Sequence, residues 1–314
     1  MSTSAALAKV VPVLLVLVAG QGLRRTRLLS ASTVADLKGL VFKLTLPCLL
    51  VNAFSRVDVQ GRYLVPVGAV FAAALLVYLA ARALQRRLPG LPVTLPALLT
   101  GFEAGMFGFA MFSSVYGAEN VWRFFLADLG QALVVYFAVV PDLEAGGAPY
   151  GPGRLVRGFF TTPAILAILA GLALRFTGLR ALLERWPLGG SLFDAMALLG
   201  GATTALVTLV VGYELRLRPR NLGRPALTAL VRLGLWLAVG LAVVRLVIAR
   251  WLGLDRLFQA AFMTLFVLPP PFVYPIFLGG DARRDEQEYM ADTIALGTLA
   301  TLGAFTLVTV AFAG

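Results

Sequence analysis

Nine or ten separate apolar runs of roughly 17–25 residues follow one another along the chain, and this succession limits the fold more than any single motif. Each run is long enough to cross a hydrocarbon core of about 30 Å as a helix. Backbone groups cannot go unpaired in lipid, so spanning elements are helices or a closed barrel, and continuous apolar runs lack the alternation a barrel needs. The expected class is an all-α polytopic membrane protein. Composition agrees: 59% of the 314 residues are hydrophobic and 14% are charged, where soluble chains carry about 25% charged residues. Mean hydropathy is +0.87.

Spans are expected near 5–22, 33–54, 62–83, 95–116, 121–141, 157–175, 191–213, 225–248, 256–278 and 291–312, or nine in all if one run is re-entrant. The net charge of +11 comes mostly from Arg placed between the runs, so it reads as topology and not as nucleic-acid binding. Fourteen Arg fall on one side of this plan (24, 25, 27, 82, 86, 87, 154, 157, 216, 218, 220, 224, 283, 284) and eight on the other (56, 62, 123, 175, 180, 185, 250, 256). The richer side is expected in the cytoplasm, with both termini outside and the chain in the cytoplasmic (inner or plasma) membrane. The first run is followed by Arg24 and Arg25 and no small-residue cleavage site, so it is read as a retained helix. A single Cys, Cys48, allows no internal disulfide, and the absence of His removes the commonest general base and metal ligand.

The Gly/Pro-rich stretch Ala145–Gly153 separates five runs from five, giving a first repeat at 1–144, a linker at 145–153 and a second repeat at 154–314. Pro12, Gly20, Leu23 and Arg24 match Pro163, Gly171, Leu174 and Arg175 at a constant offset. Each half has an odd number of runs, so the halves insert in opposite orientation. Inverted repeats are the usual construction of alternating-access carriers, whose sites lie where paired helices are interrupted near mid-membrane.

The fourth run of each half is interrupted. One reads Gly101-Phe-Glu-Ala-Gly-Met-Phe-Gly, with Gly105 and Gly108 in mid-run; the other contains Pro269, Pro270 and Pro271, which remove three backbone donors in succession. Packing of Gly101 and Gly105 against a neighbour, and a simple kink at the prolines, are the structural alternatives. Ionisable residues inside a membrane cost about 2.5–3.5 kcal/mol each on insertion scales and are functional candidates. Glu103 leads, either binding a coupling cation such as sodium or exchanging a proton; the other reading is a static pair with Lys43, which alternatively attracts an anionic substrate. Asn52, Asp128 and Gln131, Asp194, Thr203 and Thr204 are weaker candidates. The mixed-sign run Asp281–Glu288 is expected to be a solvated loop.

Four stretches resemble the auxin efflux carrier family: Gly20–Leu29 with Leu46–Leu50, Thr162–Gly171, Leu199–Leu215 and Pro269–Asp281. The resemblance implies ten helices, crossing broken fourth and ninth helices, export of small organic anions such as carboxylates or auxin-like compounds, and a homodimer. Family members typically carry Asn-Thr-Gly-x-x-Gly-x-Pro in the fourth helix. Here Glu103 stands at the Asn and Ala110 at the crossover Pro, so the charge of the site differs. The expected function is a secondary active carrier, without enzymatic activity or cofactor, coupled to sodium or protons. The rivals are a sodium-coupled bile-acid-type symporter of the same architecture and, from other classes, a lipid-modifying membrane enzyme or a channel.

Overall fold

The computed structural model describes residues 3–58, 60–144, 152–215, 222–278 and 284–312. Most of the linker and Arg216, Arg218, Arg220, Asp281 and Arg283 lie outside these residues. No strand occurs among the described residues. The helices are α1 (Thr3–Arg25), α2 (31–54), α3 (Gly61–Arg87), α4 (Leu95–Thr100), α5 (104–116), α6 (Ala118–Glu144), α7 (Pro152–Phe160), α8 (Pro163–Phe176), α9 (Leu179–Glu184), α10 (Pro187–Glu214), α11 (Gly223–Trp251), α12 (Arg256–Phe266), α13 (Tyr274–Phe277) and α14 (Arg284–Phe312). Wider π-type turns interrupt α2 at Val41–Thr45, open α5 at Ala104–Gly108, and widen α6 at Val135–Val139 and α11 at Val243–Trp251.

Six segments are long and apolar enough to cross a membrane: Gly61–Arg87, Leu95–Tyr116, Ala118–Glu144, Leu188–Glu214, Gly223–Trp251 and Arg284–Phe312. The chain is thus a multi-pass helical protein by length and composition. Large apolar side chains stand exposed on the outer helices, with Leu15 at 64%, Leu198 at 81% and Leu307 at 72% of full exposure. Such a surface fits lipid and not water. Leu95–Tyr116 is the exception: 94% of its apolar window is buried, against 33–50% for the other five. This interrupted segment is the centre of the molecule.

Two expectations change. The sixth expected span is two helices, α7 and α8, parted at Thr161–Thr162, because Pro163 starts a new helix and cannot continue the old one. The run expected to be a loop up to Glu288 is, from Arg284 onward, the first turn of α14, where Asp285 and Glu286 complement the helix dipole. Glu286 also accepts from Val93 N, Thr94 N and Thr94 Oγ1 and so ties this end to the start of α4.

Packing follows a regular plan. α1 lies along α10 and α8 along α2; α3 lies along α6 and α11 along α14. Gly20 lets α1 approach the backbone of α10, where an added Cβ would overlap Leu209 O, and Gly171 lets α8 approach α2, where it would meet Val51 O at 2.9 Å. At the ends of the same pairs, Gln21 donates to Leu215 O at 2.5 Å and Arg175 Nε to Val57 O at 2.9 Å. Ion pairs join helix ends in two sets, Arg82–Asp142 with Lys38–Glu214, and Arg123–Asp255 with Arg175–Asp58.

Candidate functional site

The chain between α4 and α5 is unwound over Gly101–Glu103, and the chain between α12 and α13 over the buried Pro269, Pro270 and Pro271. The two unwound segments meet. Glu103 N donates to Pro269 O at 2.8 Å, and Phe272 N donates to Glu103 Oε2 at 2.7 Å. Met106 N donates to the other carboxylate oxygen, Oε1, at 3.2 Å. One buried carboxylate, 7% exposed, thus bridges backbone donors from both interrupted segments. It caps its own helix by accepting from Met106 N while also holding the second break in place.

Prolines and unwinding free carbonyls that lipid cannot satisfy, and several of them find side-chain donors. Arg232 on α11 donates through Nη1 to Leu98 O at 2.8 Å, and through Nη2 to Gly101 O at 2.5 Å and Leu268 O at 3.2 Å. Trp236, one turn further, donates its indole N–H to Leu99 O at 2.7 Å. Thr301 on α14 donates to Val267 O at 2.6 Å. Phe102 N, on the opposite flank, donates to Gln131 Oε1 at 3.2 Å, and the Gln131 amide donates to Asp128. Phe102, Trp236 and Phe266 pack ring on ring, with centroids 4.6 and 5.6 Å apart in succession, and the Arg232 guanidinium lies 4.9 Å from the Phe102 ring.

The glycines divide by role. A Cβ on Gly101 would overlap the Tyr274 hydroxyl, and one on Gly108 would overlap Leu268 Cδ1, so both permit the close crossing. Gly105 has room, its nearest neighbour being Phe42 Cε1 at 3.9 Å, which removes the packing account for that residue. The charged and titratable groups around Glu103 are Asp128 on α6, Lys38 on α2, and Arg232 and Tyr274 across the crossing.

Other sequence-derived candidates lie elsewhere. Lys43 is exposed, and both oxygens of Glu103 are engaged by backbone N–H groups; the static Glu103–Lys43 pair is therefore replaced by a carboxylate held on the backbone. Asn52 belongs to a separate buried cluster at the end of α2. Its Oδ1 accepts from Arg180 Nη1 at 3.0 Å, and its amide donates to Phe193 O at 3.4 Å. Arg180 is 6% exposed, lies 4.0 Å over the Phe193 ring and pairs with Glu184 at 2.9 Å. Burial and the like charge of Arg56 pull its affinity for its proton below the usual range, and Glu184 opposes this. Thr204 shares a hydrogen bond of 2.8 Å with Ser113 on α5, and Thr203 is fully buried. Asp194 is exposed.

Two cavities border α10, one at its C-terminal end and one at its middle. One of about 210 Å³ is lined by Val211, Glu214, Phe272, Pro275, Asp292 and Thr298 and reaches the residue that holds Glu103. The other, about 330 Å³, is lined by Leu49, Asn52, Arg56, Glu119, Trp122 and Gly200. Nothing in the sequence marks Trp236 and Thr301, whereas Arg232, an Arg inside an apolar run, carries the same signal as Glu103. Comparison with protein-family models gives no match, and comparison with curated proteins gives none either.

Proposed function

We propose that the protein is a secondary active carrier of small organic anions, working by alternating access around the crossing of its two interrupted segments. In this reading ten spans form two inverted five-span repeats in the cytoplasmic membrane, with both termini outside and the substrate exported, as the resemblance to auxin efflux carriers implies. The pairing of α1 with α10 and of α8 with α2 supports the repeats, because the matched Gly20 and Gly171 then make equivalent contacts. The pairing of α3 with α6 and of α11 with α14 supports them in the same way.

The observation that carries the reading is the Glu103 carboxylate held between Phe272 N and Met106 N. Two converging backbone donors in a low-dielectric interior fit a carboxylate, and the chain's own carboxylate demonstrates the fit. A substrate carboxylate would exchange with Glu103 there, and Glu103, once displaced, would take up a proton because a free buried charge is costly. Coupling by a proton at Glu103 follows from this exchange. The cavity beside Phe272 supplies access from one side, and movement of α10 relative to α5 would open the other.

The test is the thermal unfolding midpoint of the purified protein across mono- and dicarboxylates, aromatic acids and bile acids. A ligand that binds only the native state raises the midpoint by mass action, by about 2.7 kcal/mol of stability at a hundredfold excess over Kd. A saturable rise with one class of acid is expected and names the substrate class. No rise with any of them contradicts the anion assignment.

A further inference from the structure

Six consecutive or near-consecutive carbonyls border the two breaks, and all are engaged: Leu98, Gly101 and Leu268 by Arg232, Leu99 by Trp236, Val267 by Thr301, and Pro269 by Glu103 N. Oxygens of this kind, at the C-terminal ends of interrupted membrane helices, are the ligands from which a carrier builds a sodium site. Arg232 is 2% exposed and draws its three oxygens from both breaks at once. A guanidinium keeps its charge in proteins and presents its donors in a rigid fork, so it acts as a fixed cation with directed bonds. An alkali cation brought to the same oxygens would have to displace those donors and sit against a like charge in a low dielectric.

We infer that Arg232 is a resident cation that occupies the ligand sphere a coupling sodium would need, locks the two breaks to α11, and makes the carrier independent of sodium. The inference rests on the reading of the crossing as the transport site. Arg232 is a positioning and specificity-determining residue: it touches the backbone that shapes the site, and the alternative to its presence is a set of unpaired carbonyls open to a metal ion.

The experiment measures unfolding midpoints of the full-length purified protein in sodium, lithium or choline chloride at equal ionic strength, for the wild type, Arg232→Lys and Arg232→Ala. The wild type is expected to unfold at the same temperature in all three salts, within about 1 °C. Arg232→Ala is expected to lose about 5 °C or more and to regain part of the loss, saturably, in sodium or lithium but not in choline. Arg232→Lys keeps a cation at the crossing without the fork, so it is expected to lose part of the stability that Arg232→Ala loses and yet to stay indifferent to the salt. A saturable sodium-dependent rise in the wild type overturns the inference, and so does a folded Arg232→Ala protein that is blind to alkali cations. If Arg232→Ala fails to fold, the wild-type and Arg232→Lys arms decide. Carboxylate uptake by reconstituted liposomes separates the two claims: no uptake in any salt removes the carrier reading and the coupling claim with it, whereas sodium-stimulated uptake overturns this inference alone.

Discussion

Trp236 places a single N–H at Leu99 O, where unwinding has left a carbonyl with no helical partner. Substitution by Phe keeps most of the apolar contact with Phe102 and Phe266 but strands that carbonyl, at a cost of about 1–3 kcal/mol. A lowered unfolding midpoint of Trp236→Phe against a small effect of a ring-preserving change elsewhere in the stack would check this. Gln131→Leu, which strands Phe102 N, is expected to cost a similar amount by the same measurement. At this scale the sequence is informative about cost and silent about direction. Glu103 stands out because a charge in an apolar run demands a reason. Arg232 carries the same demand, yet set among Arg residues that mark loops it is easily passed over. Lys43 has comparable depth in its run but is exposed, and no spacing rule tells which way it faces in a helix widened at Val41–Thr45.

At the scale of elements, the two breaks depend on close approach at two glycines and not at the third. Gly101→Ala and Gly108→Ala would each force a Cβ into neighbouring side chains and are expected to lower stability by about 1–3 kcal/mol. Gly105→Ala should be tolerated or raise stability by up to about 1 kcal/mol, since its Cβ has space and Ala favours the helix. Denaturation of the three variants side by side tests the ordering; a destabilised Gly105→Ala with an unaffected Gly101→Ala would contradict it. The proline break is legible because three missing donors leave no helical solution, and so is the apolar length of most spans. The split at Thr161–Thr162 was equally written in Pro163, but an unbroken apolar run hides a helix end inside a membrane segment. The wide turns are not legible, because they arise from packing and not from residues of unusual propensity.

For the whole molecule, the strongest packing pairs group α1, α2, α8 and α10 apart from α3, α6, α11 and α14, with the interrupted segments hydrogen-bonded to the second group through Gln131, Arg232, Trp236 and Thr301 while α5 packs against α10 and α1 of the first. Ser113 on α5 and Thr204 on α10 touch across this division at 2.8 Å. Cysteines at both positions, in a Cys48→Ser background, should form a disulfide under mild oxidation and stop transport, with activity restored by reductant. Undiminished transport in the cross-linked protein would mean that these two groups do not move apart in the cycle. The same carrier claim is tested most directly by counterflow of labelled carboxylate into liposomes that hold wild-type protein or Glu103→Gln. Saturable uptake stimulated by unlabelled substrate on the opposite side, with acceleration by a pH gradient that a folded Glu103→Gln protein lacks, is the predicted result; a pH-gradient response that Glu103→Gln leaves unchanged, or flux that does not saturate, would contradict it.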